Sequence, residues 1–529
     1  MDYQYFEEES DYIDLDEEEE LDEEAVGLDY TYGKAAEVDV EEEDYYVGGE
    51  EEELLDGYGV LGLLETLKNC VEPSLLQVLQ YVAPMLLLCL LCRLLCLLYS
   101  QRRRLTSLAP LHLLHCACGL VLLHCSLGHR LLLLLLLAAV GYLLLQLLRL
   151  GRRGARLLAI LTVGSQFLYE LLIWRRRSDW PQLRGIQMVV NMKLISLGFD
   201  LTASSAGGGP QLQARIPGPL AYLGYIYSPA TCALGPWVSF ACYMDCLVPR
   251  NGWLVSLRRL VPNALLCILA VIVSNCVAPA LSDFFGDSSH FLVMYWDALS
   301  VRSSHYFVGI MAQALLVASD QRLDGIGASS KESDLLGPLV AQPWRIEWPR
   351  SISSLVRSWN IPMHEWLKRY IYAPSKLDAS SSSRGRILLA VFCTYLVSSL
   401  LHGMDLRIYL VLISLAVFAE GESLLRRHLA TALDACISAN HCPGRQRCRY
   451  GHCPSKRGWN SISSWLVGMA NLAFTALAIF HLAYLGVVLV GDALEFGEEA
   501  DNFLWHWQQA GYLSHYIGVA TFVLYLFLS

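Results

Sequence analysis

The chain is 529 residues long, 54% of them hydrophobic and 17% charged, with a formal net charge of −12. That apolar share is gathered into leucine-rich stretches reaching the roughly 20 residues needed to cross a hydrocarbon core, which excludes a soluble globular protein. The charge divides sharply: residues 1–60 hold 26 of the 51 acidic residues and a single base, Lys34, leaving 25 acids against 38 bases in the remainder.

Residues 1–65 read as a disordered acidic tail. Runs such as Glu17-Glu18-Glu19-Glu20 repel themselves and bury too little apolar surface to order. The interleaved Tyr3, Tyr5, Tyr12, Tyr30, Tyr32, Tyr45 and Tyr46 are open to sulfation or phosphorylation, although a passive solubilising tail is the plainer reading. An acidic beginning does not suit a cleavable signal peptide, so the first span is expected to act as its own insertion signal.

Residues 66–529 read as a polytopic membrane domain. Spans are expected near 76–99, 107–126, 131–149, 156–174, 217–241, 258–281, 300–318, 386–402, 404–425, 462–492 and 507–528, with re-entrant or interfacial pieces near 184–200 and 352–372. The fold class is therefore all-α, a transmembrane helical bundle of about 11 spans plus re-entrant segments. Arg102-Arg103-Arg104, and then Arg149, Arg152, Arg153 and Arg156, mark the cytoplasmic side by the positive-inside rule and leave the acidic tail lumenal. Arg175-Arg176-Arg177 does not fit that simple scheme. No nucleic acid is expected as a partner; membrane lipids are.

In the second span His112 and His115 share a helix face, and inter-helix hydrogen bonding suits them better than a metal. Cys89, Cys92, Cys96, Cys116, Cys118 and Cys125 in the first two spans read as small packing residues. Further on, Cys436, His441, Cys442, Cys448, His452 and Cys453 crowd one loop. Zinc, two disulfides and a plain loop stay equally open there, because the spacing matches none of the common zinc patterns. Its Arg445, Arg447, Arg449, Lys456 and Arg457 also suit a cytoplasmic lipid headgroup.

The sharpest chemical signal is His402, which follows Ala390–Leu401 within or at the edge of an apolar stretch. An ionisable side chain at bilayer depth is a functional candidate by default. Upstream, Ser358-Trp359-Asn360-Ile361-Pro362 sets a carboxamide and an indole in an amphipathic segment.

These two pieces, with Ser398-Ser399-Leu400-Leu401-His402-Gly403 carrying the second, resemble the signature of the membrane-bound O-acyltransferases, where an asparagine and a downstream membrane histidine form the active site. Further matching pieces are Arg184-Gly185-Ile186-Gln187-Met188, the run from Lys193 to Asp200, Gly235-Pro236-Trp237-Val238-Ser239-Phe240, Tyr306-Phe307-Val308-Gly309, and the run from Ala478 to Gly486. The resemblance spans about 180–490, taken as the acyltransferase core. The acidic tail and Ser380-Ser381-Ser382-Ser383 have no place in the pattern.

Within the family the chain is most similar to members that acylate Wnt proteins. The resemblance implies transfer of a palmitoleoyl chain from coenzyme A to a serine hydroxyl of a Wnt protein, in the endoplasmic reticulum membrane, enabling Wnt secretion and signalling. It implies His402 and Asn360 as catalytic residues and Trp359, Trp237 and Tyr306 as substrate-binding ones. Palmitoleoyl-CoA is the donor substrate; neither a bound cofactor nor a metal is called for. The residues suit that chemistry on their own account. A neutral histidine can take the proton of a serine hydroxyl, and a side-chain amide can donate to a developing oxyanion. A relative acylating a glycerophospholipid or sterol would carry the same pair, and a non-catalytic scaffold would keep His402 as a structural residue.

Overall fold

The computed structural model describes residues 52–101, 107–147, 152–173, 180–205, 216–286, 289–323, 331–373, 384–490 and 504–528. Most of the acidic tail and the Ser380–Ser383 run lie outside the described residues.

Leucine-rich sequence without β-branched runs makes long helices. α1 is Glu52–Gln101, α2 Ala109–Leu127, α3 Leu131–Leu147, α4 Arg152–Ile173, α5 Trp180–Ser205, α6 Pro219–Ile226 and α7 Phe240–Cys246. α8 (Trp253–Ile272) runs through a π turn at Val273–Val277 into α9 (Ala278–Phe284), and α10 is His290–Ala318. Short helices follow: α11 Lys331–Leu336, α12 Pro343–Glu347, α13 Ile352–Trp359 and α14 Ile361–Leu367, the last ending in a π turn at Lys368–Tyr372. Then come α15 Arg384–Leu401, α16 Leu406–Ala432, α17 Pro454–Arg457, α18 Ile462–Gly486, α19 Trp505–Gln509 and α20 Leu513–Leu528.

Among the described residues six helical stretches are long and apolar enough to cross a membrane: Glu65–Gln101, Ala109–Leu147, Arg153–Leu172, Trp253–Phe284, Leu406–Ala432 and Ile462–Leu489. Ile387–Leu401 and Leu513–Leu528 are shorter apolar helices. α3 shows how the bundle meets lipid. Leu131, Leu134, Ala138, Gly141 and Leu145 are buried at heptad spacing, whereas Leu132, Leu136, Leu143 and Leu147 are exposed.

One expected span is corrected. Residues 217–241 do not form a continuous helix: α6 stops at Ile226, and irregular chain carries Tyr227–Ser239 to α7. Pro229 and Pro236 lack the amide a helix needs, and each disfavours the helical conformation of the residue before it. Irregular backbone inside an apolar body needs internal partners. Lys193 on α5 supplies them: its Nζ donates to the carbonyls of Tyr225 and Ile226, each at 3.0 Å, and to Thr231 Oγ1 at 2.9 Å. The piece near 184–200, in turn, is part of the 26-residue α5.

His112 makes an inter-helix contact, to Tyr243 OH on α7 at 2.9 Å, whereas His115 meets the irregular chain at Ser228 Oγ, 3.3 Å away. Cys89, Cys92, Cys96, Cys116 and Cys118 are buried and unbridged. α8 and α10 pack together, and at the π turn Ser274 and Ser300 exchange hydrogen bonds with each other's carbonyl. A disulfide joins Cys70 of α1 to Cys276 of that π turn.

Candidate active site

His402 sits in the turn that ends α15. Its amide donates to Ser399 O at 2.9 Å and that of Gly403 to Leu400 O at 3.2 Å, closing the helix in two tight turns. Gly403 has φ +81°, and a Cβ there would lie 2.9 Å from Arg184 Cδ, so glycine is required by backbone and by space together. Around this turn α4 and α5 form a polar brace. Gln166 Nε2 donates to Leu401 O at 2.7 Å, and Gln166 Oε1 accepts from Asn191 Nδ2 at 2.9 Å. Glu170 accepts from the Met404 amide at 2.7 Å, and Arg184 bridges Glu170 (3.6 Å) and Asp405 (3.7 Å). His402 itself is half-buried, and the titratable groups whose fields reach it are Arg184, His305 and Asp405.

Asn360 is the hinge between α13 and α14. α13 opens on a capping box built by Ser351 and Ser354, and Asn360 closes it in an extended conformation while capping α14, its Oδ1 accepting from the Met363 amide at 3.0 Å. No described residue accepts a hydrogen bond from its Nδ2, so the donor half of the carboxamide is uncommitted among the described residues. The hinge is pinned to the preceding loop through Ile361 N to Val340 O (2.8 Å) and Gln342 N to Ser358 O (3.0 Å).

An apolar cluster of Met192, Ile195, Trp237, Met363, Trp366, Leu367, Tyr370 and Leu401 lies between α5, α14 and the end of α15. It contains the residue just before His402, a residue in the first turn after Asn360, and Trp237. The Trp237 indole donates to Ser196 Oγ at 2.9 Å and meets Tyr370 edge-on. Trp359 faces the other way, onto α10, with its ring 5.9 Å from His305 and 6.1 Å from Tyr306. The Tyr306 hydroxyl donates to Glu347 Oε1 at 2.6 Å, beside the two bonds from Arg302 to the same carboxylate. Of the five candidates, Trp237 thus joins the cluster between the elements that carry Asn360 and His402, and Trp359 and Tyr306 form a second wall.

His305, Gln166 and Glu170 were missed by sequence reasoning. His305 alone had a legible signal, being an imidazole next to Tyr306 inside an expected span. Beside α13 a cavity of about 710 Å³ is lined by Arg357, Arg427, Arg447 and Arg449, with Glu420 the acid among its lining residues.

The sequence pattern of MBOAT, the membrane-bound O-acyltransferase family, matches residues 121–463. The chain is 80% identical, over all of both chains, to the protein-serine O-palmitoleoyltransferase porcupine of Drosophila melanogaster. To the protein of the same name from Homo sapiens it is 33% identical over 65% of this chain and 73% of that one. It is also 22% identical to a lysophospholipid acyltransferase of Schizosaccharomyces pombe, over 50% of this chain and 57% of that one.

Proposed function

The chain belongs to the membrane-bound O-acyltransferase family, and from that membership we propose that it moves a palmitoleoyl chain from acyl-CoA to a serine hydroxyl of Wnt proteins. The observation that carries this reading is identity of 80% across the whole length of a protein-serine O-palmitoleoyltransferase. The setting is a multi-pass membrane protein, and the membrane is that of the endoplasmic reticulum.

The serine oxygen attacks the thioester carbonyl while its proton passes to the His402 imidazole. The Nδ2 of Asn360 donates to the oxyanion that develops, as side-chain amides do in other acyl transfers. The C–S bond then breaks, and the coenzyme A sulfur leaves with the proton that His402 holds. Gln166, Glu170 and Arg184 position the His402 turn rather than react. Trp237 and the Trp359–Tyr306 wall border the acyl chain and supply apolar surface to it. The arginines of the cavity beside α13 suit the phosphates of the donor, since guanidinium groups pair with phosphate in a bidentate geometry.

The relation to a lysophospholipid acyltransferase gives the test its second arm. Purified enzyme is offered palmitoleoyl-CoA with either a serine-containing Wnt peptide or a lysophospholipid. Ester formation on the peptide serine, absent when that serine is alanine, is expected. Acylation of the lysophospholipid alone would overturn the reading.

A further inference from the structure

The loop between α16 and α18 folds into a small body of its own chemistry. Cys436, Cys442, Cys448 and Cys453 place their four Sγ atoms within 4.8 Å of one another, with Cys442 to Cys453 and Cys436 to Cys448 each at 3.7 Å. A tetrahedral zinc with Zn–S bonds of about 2.3 Å has sulfur–sulfur edges of about 3.8 Å. We propose that these four cysteines bind one zinc ion as a closed structural site.

Backbone amides and arginines stand around the four sulfurs. In two turns the backbone amide two residues on faces a sulfur, Gly444 toward Cys442 and Tyr450 toward Cys448. Gly444, at φ +97°, makes the first of these turns possible. Cys436 sits on chain paired with Gly451–Cys453, its amide donating to His452 O at 2.9 Å, and that bridge brings the first and last ligands together. Binding releases the four thiol protons and leaves a centre of charge −2. Arg350 lies against Cys436 Sγ, and Arg447 and Arg449 stand in the same loop to offset it. The intervals of five, five and four residues hide the site from pattern reading; the fold assembles it.

Two disulfides are the competing chemistry, because the two 3.7 Å pairs are also the pairs a disulfide would join. The loop's five basic residues place it on the cytoplasmic side by the positive-inside rule, where thiols are kept reduced. The same rule puts the Cys70–Cys276 disulfide on the other side, since Arg102-Arg103-Arg104 follow the opposite end of α1.

The test uses full-length protein purified in detergent without chelator, with zinc measured by elemental mass spectrometry and thiols by alkylation mapping. One zinc per chain is expected, released when a mercurial titrates the thiols. The four cysteines should become alkylatable on denaturation with chelator and no reductant. Cobalt-grown protein should show sulfur-to-cobalt charge-transfer absorption that Cys436→Ser with Cys448→Ser abolishes. Monodisperse wild-type protein without zinc above background, or cysteines that stay blocked in denaturant until reductant is added, would overturn the proposal. Neither measurement of the wild-type protein depends on a variant's folding.

Discussion

The carboxamide of Asn360 commits its oxygen to the amide of Met363 and leaves its nitrogen free among the described residues, so a single substitution can separate capping from chemistry. Aspartate caps a helix as well as asparagine but has no N–H to give. Asn360→Asp is therefore expected to keep the fold and lose about 10²–10³ in turnover, the usual cost of removing one oxyanion donor. A fully active Asn360→Asp enzyme would reduce the residue to a helix cap. His402→Ala should lower turnover by about 10²–10⁴ with unchanged expression; a steady-state assay near wild-type rate would remove it from the mechanism. Both residues could be named as candidates from the sequence because each sits in a short local pattern. Their braces were not, because Gln166 reaches Leu401 across 235 residues of chain and Glu170 reaches Met404 across 234.

At the scale of elements, the long spans followed from runs of apolar residues, and the departures follow from backbone that cannot stay helical. The expected span near 217–241 has the hydropathy of a helix, but Pro229 and Pro236 break it, and those prolines were the signal to weigh. What no pattern of residues announces is the cation that makes the break tolerable. Lys193 serves three acceptors at once. Lys193→Met keeps much of its apolar stem and strands those acceptors, at about 1–3 kcal/mol for each buried group left unsatisfied. A lower thermal midpoint in detergent is expected, and a midpoint equal to wild type would show that Tyr225–Thr231 finds partners elsewhere. Arg426 plays the same part for the cysteine loop, donating to the carbonyls of Ile437 (2.7 Å) and Arg350 (2.8 Å) while paired with Glu422.

For the whole molecule, the division of charge is the feature that sequence alone displays. Residues 1–51 precede α1, so enzyme lacking them is expected to keep its turnover with saturating substrate. Their negative charge acts on encounter: a basic protein acceptor should reach the full-length enzyme faster at low salt, and that advantage should fade above about 0.15 M. Comparing kcat/KM of the two forms across salt concentrations checks this. A large loss on truncation at every salt concentration would mean that the acidic segment is part of the catalytic body. The cysteine loop shows the opposite limit of legibility, since the closeness of its four sulfurs depends on how the chain turns between them rather than on the three intervals themselves.

The leucines of α3 carry a further consequence, one of inheritance. Leu134 and Leu132 are the same letter two places apart, yet Leu134 is 1% exposed and Leu132 68% exposed. The first is held by packing, and its carbonyl takes the Tyr227 hydroxyl at 2.9 Å. The second faces lipid tails as apolar as itself, and exchanging it for valine, isoleucine or phenylalanine alters almost nothing that selection can sense. Descendants of this gene should therefore drift freely on one side of the helix and stand still on the other, so that a helix written almost wholly in one amino acid accumulates change at two different rates.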